Sequence, residues 1–177
     1  MEDRRVRKSK SALKCALLEL MKGRPVSGIS VVSLCFAADV NRSTFYANYQ
    51  DIYALLQDIY EDLFHKVDSL MASLIRGTED PTLLLPFIRH LEDHKDLFQL
   101  LCINNEDRLF ERNMLAYCTE KYDSSEKEDV AGRYAFSYNI SGSISVFCQW
   151  VHEGFPCSSE ELAYLLVQFP RFTSISI

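Results

Sequence analysis

No glycine or proline interrupts the chain between Pro86 and Gly132. Glycine weakens a helix through backbone entropy, and proline removes a donor and clashes with the preceding turn. Their absence over so long a stretch is what long helices require. Only six glycines and five prolines occur in 177 residues, too few for the closely spaced turns of a β-sandwich or barrel. Hydrophobic residues make up 47% and charged residues 25%, ordinary proportions for a chain that buries a core, and they exclude a disordered or fibrous protein. The expected fold class is all-α.

Apolar spacing places the helices. Leu13, Leu17, Leu20 and Met21 form one stripe over residues 9–21, with Lys8, Lys10 and Lys14 pointing elsewhere, and Lys22-Gly23-Arg24-Pro25 ends it. Ser30 is a natural N-cap for a second, short helix that buries Val31, Leu34, Cys35 and Ala38. A tight turn at Asp39-Val40 leads to a third helix, capped by Asn41, over residues 42–48. Asp51 then caps a long helix carrying Ile52, Leu55, Leu56, Ile59, Leu63, Val67, Leu70 and Leu74, to about Ile75. At ~1.5 Å per residue that rod is roughly 37 Å long, enough to join a small head to a larger body. Further helices are expected over 82–91, 94–103, 105–122, 126–152 and 159–169. The last two carry stripes of Phe136, Ile140, Ile144, Phe147 and Val151, then Leu162, Leu165, Leu166 and Phe169. Ser158, with Glu160 and Glu161 behind it, starts the final helix.

Charge divides the chain. Residues 1–50 hold nine Lys/Arg against four Asp/Glu, and the remainder holds ten against twenty-one. A basic head that meets a polyanion and an acidic body that avoids it are implied, and charge alone does not separate nucleic acid from a membrane surface. Six cysteines at 15, 35, 102, 118, 148 and 157 form no Cys-x-x-Cys pair, so neither a zinc ribbon nor a thioredoxin-type redox pair is written here. They read as inert, reduced thiols, the alternative being a redox sensor. No secretory signal is apparent, and runs such as 83–88 are far short of a membrane span, so a cytoplasmic location without membrane contact is expected.

Residues 30–49 have the build of a helix-turn-helix, whose second helix enters the major groove with its N-terminal residues near base edges. Arg42 can neutralise a phosphate or bind guanine bidentately, and Ser43 and Thr44 can reach bases or phosphates. Tyr46 and Tyr49 supply hydroxyls for phosphates, while Phe45 and Val40 look inward and lock the helix pair. Periodicity by itself gives only a generic helical hairpin.

The motif narrows this. An Ala-Leu-Leu-Glu-Leu helix is followed, over 29–56, by Ile-Ser-Val-x-x-Leu-Cys-x-x-Ala-x-Val-Asn-Arg-Ser-Thr-Phe-Tyr-x-x-Tyr-x-Asp-x-x-x-Leu-Leu. Residues 8–67 thereby resemble the DNA-binding domain of TetR-family transcriptional regulators, with Ser-Thr-Phe-Tyr at 43–46 the most diagnostic stretch. More weakly, Ser141-Gly142-Ser143, Trp150 and a Gly-x-x-x-Ser-x-Glu-Glu run at 154–161 resemble a branch that includes dihydroxyacetone-kinase-operon regulators. The resemblance implies a helix-turn-helix head at 8–67 and a helical effector-binding and dimerisation body at 68–177. It implies a homodimer whose last two long helices pair as a four-helix bundle, and a small-molecule cavity whose occupancy changes the spacing of the heads. Carried over by position, Ser33, Arg42, Ser43, Thr44, Tyr46 and Asn48 are the DNA-facing candidates, and Tyr49 joins them by its hydroxyl. Two positions depart from the pattern. Ile52 stands where the family has a lysine that touches phosphate, and Asp39 replaces the turn glycine, which the left-handed tolerance of aspartate accommodates.

Weaker signals carry two readings each. Residues 4–10 read as an arm that tracks phosphates or as a solvated end. His90 and His94 have a metal-compatible spacing, yet no Glu directly follows His90 as a metalloprotease signature requires, and two surface or partly buried histidines is the plainer reading, so no metal or other cofactor is expected. Ser137, Ser141, Gly142 and Ser145 permit close helix approach, in a dimer seam rather than a cavity. Tyr117, Tyr122, Tyr134, Tyr138 and Trp150 read as ligand-pocket candidates or as core, the core being the plainer reading of aromatic residues at helical spacing, and the effector-binding residues are unassigned.

The function expected is a sequence-specific regulator binding a pseudo-palindromic double-stranded site, a repressor under effector control. The alternative is a protein-docking module of the same fold that acts through a partner protein and binds DNA weakly. No Ser/His/Asp signature, phosphate-cradling loop or paired catalytic carboxylates mark an enzyme.

Overall fold

The computed structural model describes residues 4–76, 80–103, 108–122 and 130–172. Among the described residues there is no strand, and nine α-helices follow in order: α1 (Arg4–Met21), α2 (Val31–Ala38), α3 (Arg42–Tyr46), α4 (Ile52–Arg76), α5 (Leu85–Asp93), α6 (Lys95–Ile103), α7 (Leu109–Tyr122), α8 (Val130–His152) and α9 (Ser159–Phe172). Short 3-10 turns at Val26–Gly28 and Pro81–Leu83 lead into α2 and α5. The side chains of Leu70, Leu74 and Phe169, and the helix starts expected at 105 and 126, lie outside the described residues.

The N-terminal helices form around Leu13, Leu17, Leu34 and Phe45, each wholly buried. α1 packs on α2 and α4, and α2 packs on α3. Residues 4–10 are not a separate arm: they form the first turns of α1, because Arg, Lys, Val and Ser contain no helix breaker and continue the register of residues 11–21. The long helix α4 runs on into the body and packs against α5, α7 and α8.

Aromatic rings fill the body. Phe110 meets Tyr60 edge-on at 5.5 Å between centroids and Phe98 at 6.3 Å, and Phe98 meets Phe147 at 6.2 Å, which meets Phe87 at 6.0 Å. Three of these pairs are T-shaped, which suits the ring quadrupole, the fourth is tilted, and together they join α4, α5, α6, α7 and α8. Trp150 is buried, donates its Nε1–H to the Cys157 carbonyl at 3.0 Å and stacks edge-on against Phe155, which fixes the α8–α9 turn.

Three expectations are corrected by packing. Leu165 is exposed because α9 buries Leu162, Ala163, Leu166 and Val167 instead. Tyr134 and Tyr138 are exposed on α8, not part of the core. Asn41 occupies the N-cap position of α3 but makes no side-chain cap bond.

Candidate nucleic-acid interface

Local chemistry builds the helix pair. Ser30 caps α2: its hydroxyl accepts the Ser33 amide, and Ser33 Oγ accepts the Ser30 amide in return. This reciprocal box satisfies two donors that a helix start leaves open. α2 ends at Asp39, which adopts the left-handed conformation at φ 51° and ψ 46°, as its place in the turn anticipates. The turn then directs α3, a helix of five residues, across the end of α2.

α3 is too short to be stable alone. Phe45 is fully buried and anchors it in the head core. With Phe45 pointing in, Arg42, Ser43 and Tyr46 are exposed and Thr44 is half-buried. Tyr46 meets Phe45 edge-on at 5.3 Å and keeps about half its surface in solvent. These four side chains, from the first residue of α3 to its last, are what the helix leaves open to solvent around Phe45.

The other three candidate residues are placed differently. Ser33 is half-buried and its hydroxyl is engaged in the α2 cap. Asn48 is half-buried and donates Nδ2–H to the Thr44 carbonyl at 2.7 Å, taking the acceptor that another helical turn would have used, so α3 ends at Tyr46, short of 48. Tyr49 is buried, and its hydroxyl donates to Asp58 Oδ2 at 2.5 Å, so it does not face outward with Tyr46.

The basic character of the head is also partly spent internally. Lys14 Nζ pairs with Asp58 at 2.9 Å and Asp62 at 2.7 Å, and Lys22 pairs with Glu19. Partial burial would lower the Lys14 pKa, but the bonds from Asp62 and Asp58 outweigh it and hold the ammonium above the ordinary lysine value. Burial pushes the Cys35 thiol up against the opposing pull of the Arg42 charge. Lys10 lies 5.8 Å over the Tyr49 ring. Ile52, the residue in place of the expected lysine, is buried in the head core.

Exposed apolar side chains on α2 escaped sequence reasoning. Phe36 is 90% exposed and Val32, one turn earlier, 58%. Their position off the Val31–Leu34–Cys35 stripe is the signal that would have found them.

In the body, two adjoining open grooves of about 720 and 510 Å³ run between α4 and α7 and share Gln57, Asn113, Ala116 and Glu120. Beside them Asp68 accepts from Tyr117 at 3.2 Å, from Tyr122, and from Lys121 at 2.7 Å. The His90 and His94 rings lie 4.3 Å apart, and burial together with the His94 charge pushes the His90 pKa down. Among the described residues no group of three or more His, Cys, Asp or Glu side chains could hold a metal ion. The free Cys102 thiol shares a hydrogen bond with the Cys148 thiol, which with burial raises its pKa strongly, and burial pushes Cys118 up to about 12. Gly142 faces open space, next to half-buried Ser141 and Ser145. No described helix is long and apolar enough to cross a membrane.

No protein-family model matches the chain. It is 22% identical, over 93% of its length, to the HTH-type transcriptional regulator YxbF of Bacillus subtilis (strain 168). The match takes in 46% of that protein, so the chain spans about half the length of its curated relative. Among solved structures it is similar to a TetR transcriptional regulator from Streptococcus agalactiae 2603V, with a TM-score of 0.69 and 24% identity over 94% of this chain and 95% of that one. It is also similar to the dihydroxyacetone kinase operon activator DhaS, with a TM-score of 0.59 and 23% identity over 93% and 94% of the two chains. A short helix-turn-helix head carried on a long helix that enters an all-α body is thus the fold of TetR-type transcriptional regulators.

Proposed function

We propose that the chain is a sequence-specific DNA-binding transcriptional regulator. The observation that carries this reading is what α3 leaves to solvent while Phe45 is buried: Arg42, Ser43 and Tyr46 exposed, with Thr44 half-buried among them. These are side chains that pair with base edges and phosphates, on the helix a helix-turn-helix inserts in the major groove. The charge division between head and body supports it, since an acidic body repels the polyanion that a basic head attracts. The regulators of similar fold and sequence add the same direction.

On this reading residues 8–67 bind DNA in the cytoplasm and residues 68–177 dimerise and take an effector, and the chain acts as a repressor rather than an enzyme. A homodimer suits the exposed Tyr134 and Tyr138 and open Gly142 on α8 and the exposed Tyr164 on α9, and two heads then read a pseudo-palindromic site. Ser33 closes the cap of α2, while Asn48 and Tyr49 brace the end of α3 through Thr44 and Phe45. Effector control is a population shift: a ligand that favours one head spacing changes operator affinity by its differential affinity for the two states. The α4–α7 groove offers the described space for one.

The test is fluorescence anisotropy with the DNA upstream of the protein's own coding region, across a salt series, for the wild type, Arg42→Ala and Tyr46→Ala. Specific binding that weakens steeply with salt, and by about 1–3 kcal/mol for Arg42→Ala, is expected. Binding that is absent or indifferent to both substitutions overturns the assignment. It would favour the second reading, a docking module acting through a partner protein, for which the exposed Phe36 and Val32 and the buried Ile52 speak.

A further inference from the structure

We propose that Asp58, through Tyr49, is the positioning residue that sets the orientation of α3 and hence the sequence discrimination of the head. The proposal rests on the DNA-binding reading and deepens it.

α3 has five residues and a single fully buried anchor, Phe45. One apolar plug fixes depth but leaves rotation about itself to be set by something else. Tyr49 supplies that second point. It stands three residues past the end of α3, its ring packs against Phe45 at 5.9 Å, and its amide donates to the Phe45 carbonyl at 2.9 Å. Its hydroxyl ends on Asp58 Oδ2, one turn and a half into α4. The other oxygen, Oδ1, takes Lys14 of α1 at 2.9 Å, and Lys14 reaches on to Asp62. One carboxylate therefore ties the exit of α3 to α1 and α4.

The bond is built to hold. Tyr49 is buried and Asp58 is mostly shielded, so water competes poorly for either partner. Burial alone would favour the neutral acid, yet the bonds from Tyr49 and Lys14 and the charges of Lys14 and Lys10 outweigh it and keep the carboxyl below the ordinary aspartate value. A phenol on a carboxylate is a charge-assisted bond, about twice as strong as a neutral one. Asp58 also stands between Gln57 and Glu61, which line the α4–α7 grooves. A shift of α4 caused at the grooves is then transmitted to the reading helix by a hydrogen bond rather than by loose apolar contact.

Three variants test this: Tyr49→Phe, which keeps the buried ring, Asp58→Asn, and the double. The first measurement is amide hydrogen exchange over residues 42–49, against residues 159–167 of α9, which touch neither Asp58 nor Lys14, as an internal control, without DNA. Faster exchange confined to 42–49 in both single variants, and no faster in the double, is expected. Unchanged exchange there, or equal acceleration in the control segment, overturns the proposal. The second measurement compares a duplex selected by the wild type from a randomised pool with a scrambled duplex of the same length. Both single variants and the double are expected to lose roughly tenfold in preference for the selected duplex while binding the scrambled one as before. A loss shared by both duplexes, or a lowered melting temperature with preference intact, marks a merely structural role and overturns it. If the wild type selects no duplex, the DNA-binding reading fails by itself, and the exchange experiment still decides whether Asp58 positions α3.

Discussion

Ser159 Oγ donates to Glu92 Oε2 at 2.6 Å, joining the first turn of α9 to the last turn of α5. Ser159 is buried and Glu92 is exposed, so the two ends of the bond are unequal. Replacing Ser159 by Ala removes a polar group from a buried place and leaves a carboxylate that water can still solvate. Replacing Glu92 by Ala leaves a buried hydroxyl without its acceptor. Glu92→Ala is therefore expected to cost about 1–3 kcal/mol and Ser159→Ala less than about 1 kcal/mol, by chemical denaturation. The neighbouring Arg89–Glu160 pair is exposed on both sides, so water and salt screen it, and Arg89→Ala should leave the denaturation midpoint unchanged.

Two phenylalanines of the head differ by place alone. Phe45 is wholly buried and Phe36 is almost wholly exposed. Phe45→Ala is expected to destabilise the chain by about 3–5 kcal/mol. Phe36→Ser should leave the midpoint within about 0.5 kcal/mol of wild type and improve solubility, because it removes an exposed apolar side chain. Urea unfolding and a concentration series by light scattering would measure both.

Asp39 ends α2 in the left-handed region at φ 51°. A glycine there has no Cβ to clash, whereas a β-branched side chain does. Asp39→Gly is expected to raise stability by roughly 0.5 kcal/mol and Asp39→Val to lower it by about 1–2 kcal/mol. A melt of both variants beside the wild type would show the opposite signs.

Acid should act on two carboxylates. Burial opposes ionisation of both Asp58 and Asp68. It is outweighed at Asp58 by Tyr49 and Lys14, and at Asp68 by Lys121, Tyr122 and Tyr117, so both folded values lie below the unfolded one. Groups shifted down bind fewer protons folded than unfolded. Their stabilisation is complete above the unfolded aspartate value of about 4 and fades as pH falls through the lower folded values. Lys14, shifted up, contributes fully below the unfolded lysine value of about 10.4 and loses its share as pH rises past the folded one. The melting temperature is expected to fall below about pH 4, and Asp58→Asn should flatten that fall. An unaltered acid limb in Asp58→Asn would contradict the clasp on Tyr49 and Lys14.

Periodicity and capping are local, and what depends on them was legible in the chain. The stripes of α1, α4 and α8 follow 3.6-residue spacing, and Ser30, Asp51 and Ser158 cap where their side chains can reach an amide three residues on. The inward Phe45, the left-handed Asp39 and the outward Arg42 and Tyr46 were legible for the same reason, since each follows from a few neighbouring residues.

Which aromatic faces solvent is a different question, because it depends on what a distant segment offers. Tyr46 and Tyr49 are three residues apart and look alike in the chain, yet only Tyr49 meets a carboxylate from α4. Lys14 counts toward a basic head until Asp58 and Asp62 arrive from more than forty residues away. Ile52 reads as a missing phosphate contact until the head closes over it, and Tyr134 and Tyr138 read as core until α8 turns that side away from its neighbours. The sequence by itself determined the helices and the reading motif, through spacing and capping. The partners of the charged and aromatic side chains were decided only by tertiary packing, which brings together groups that no local pattern relates.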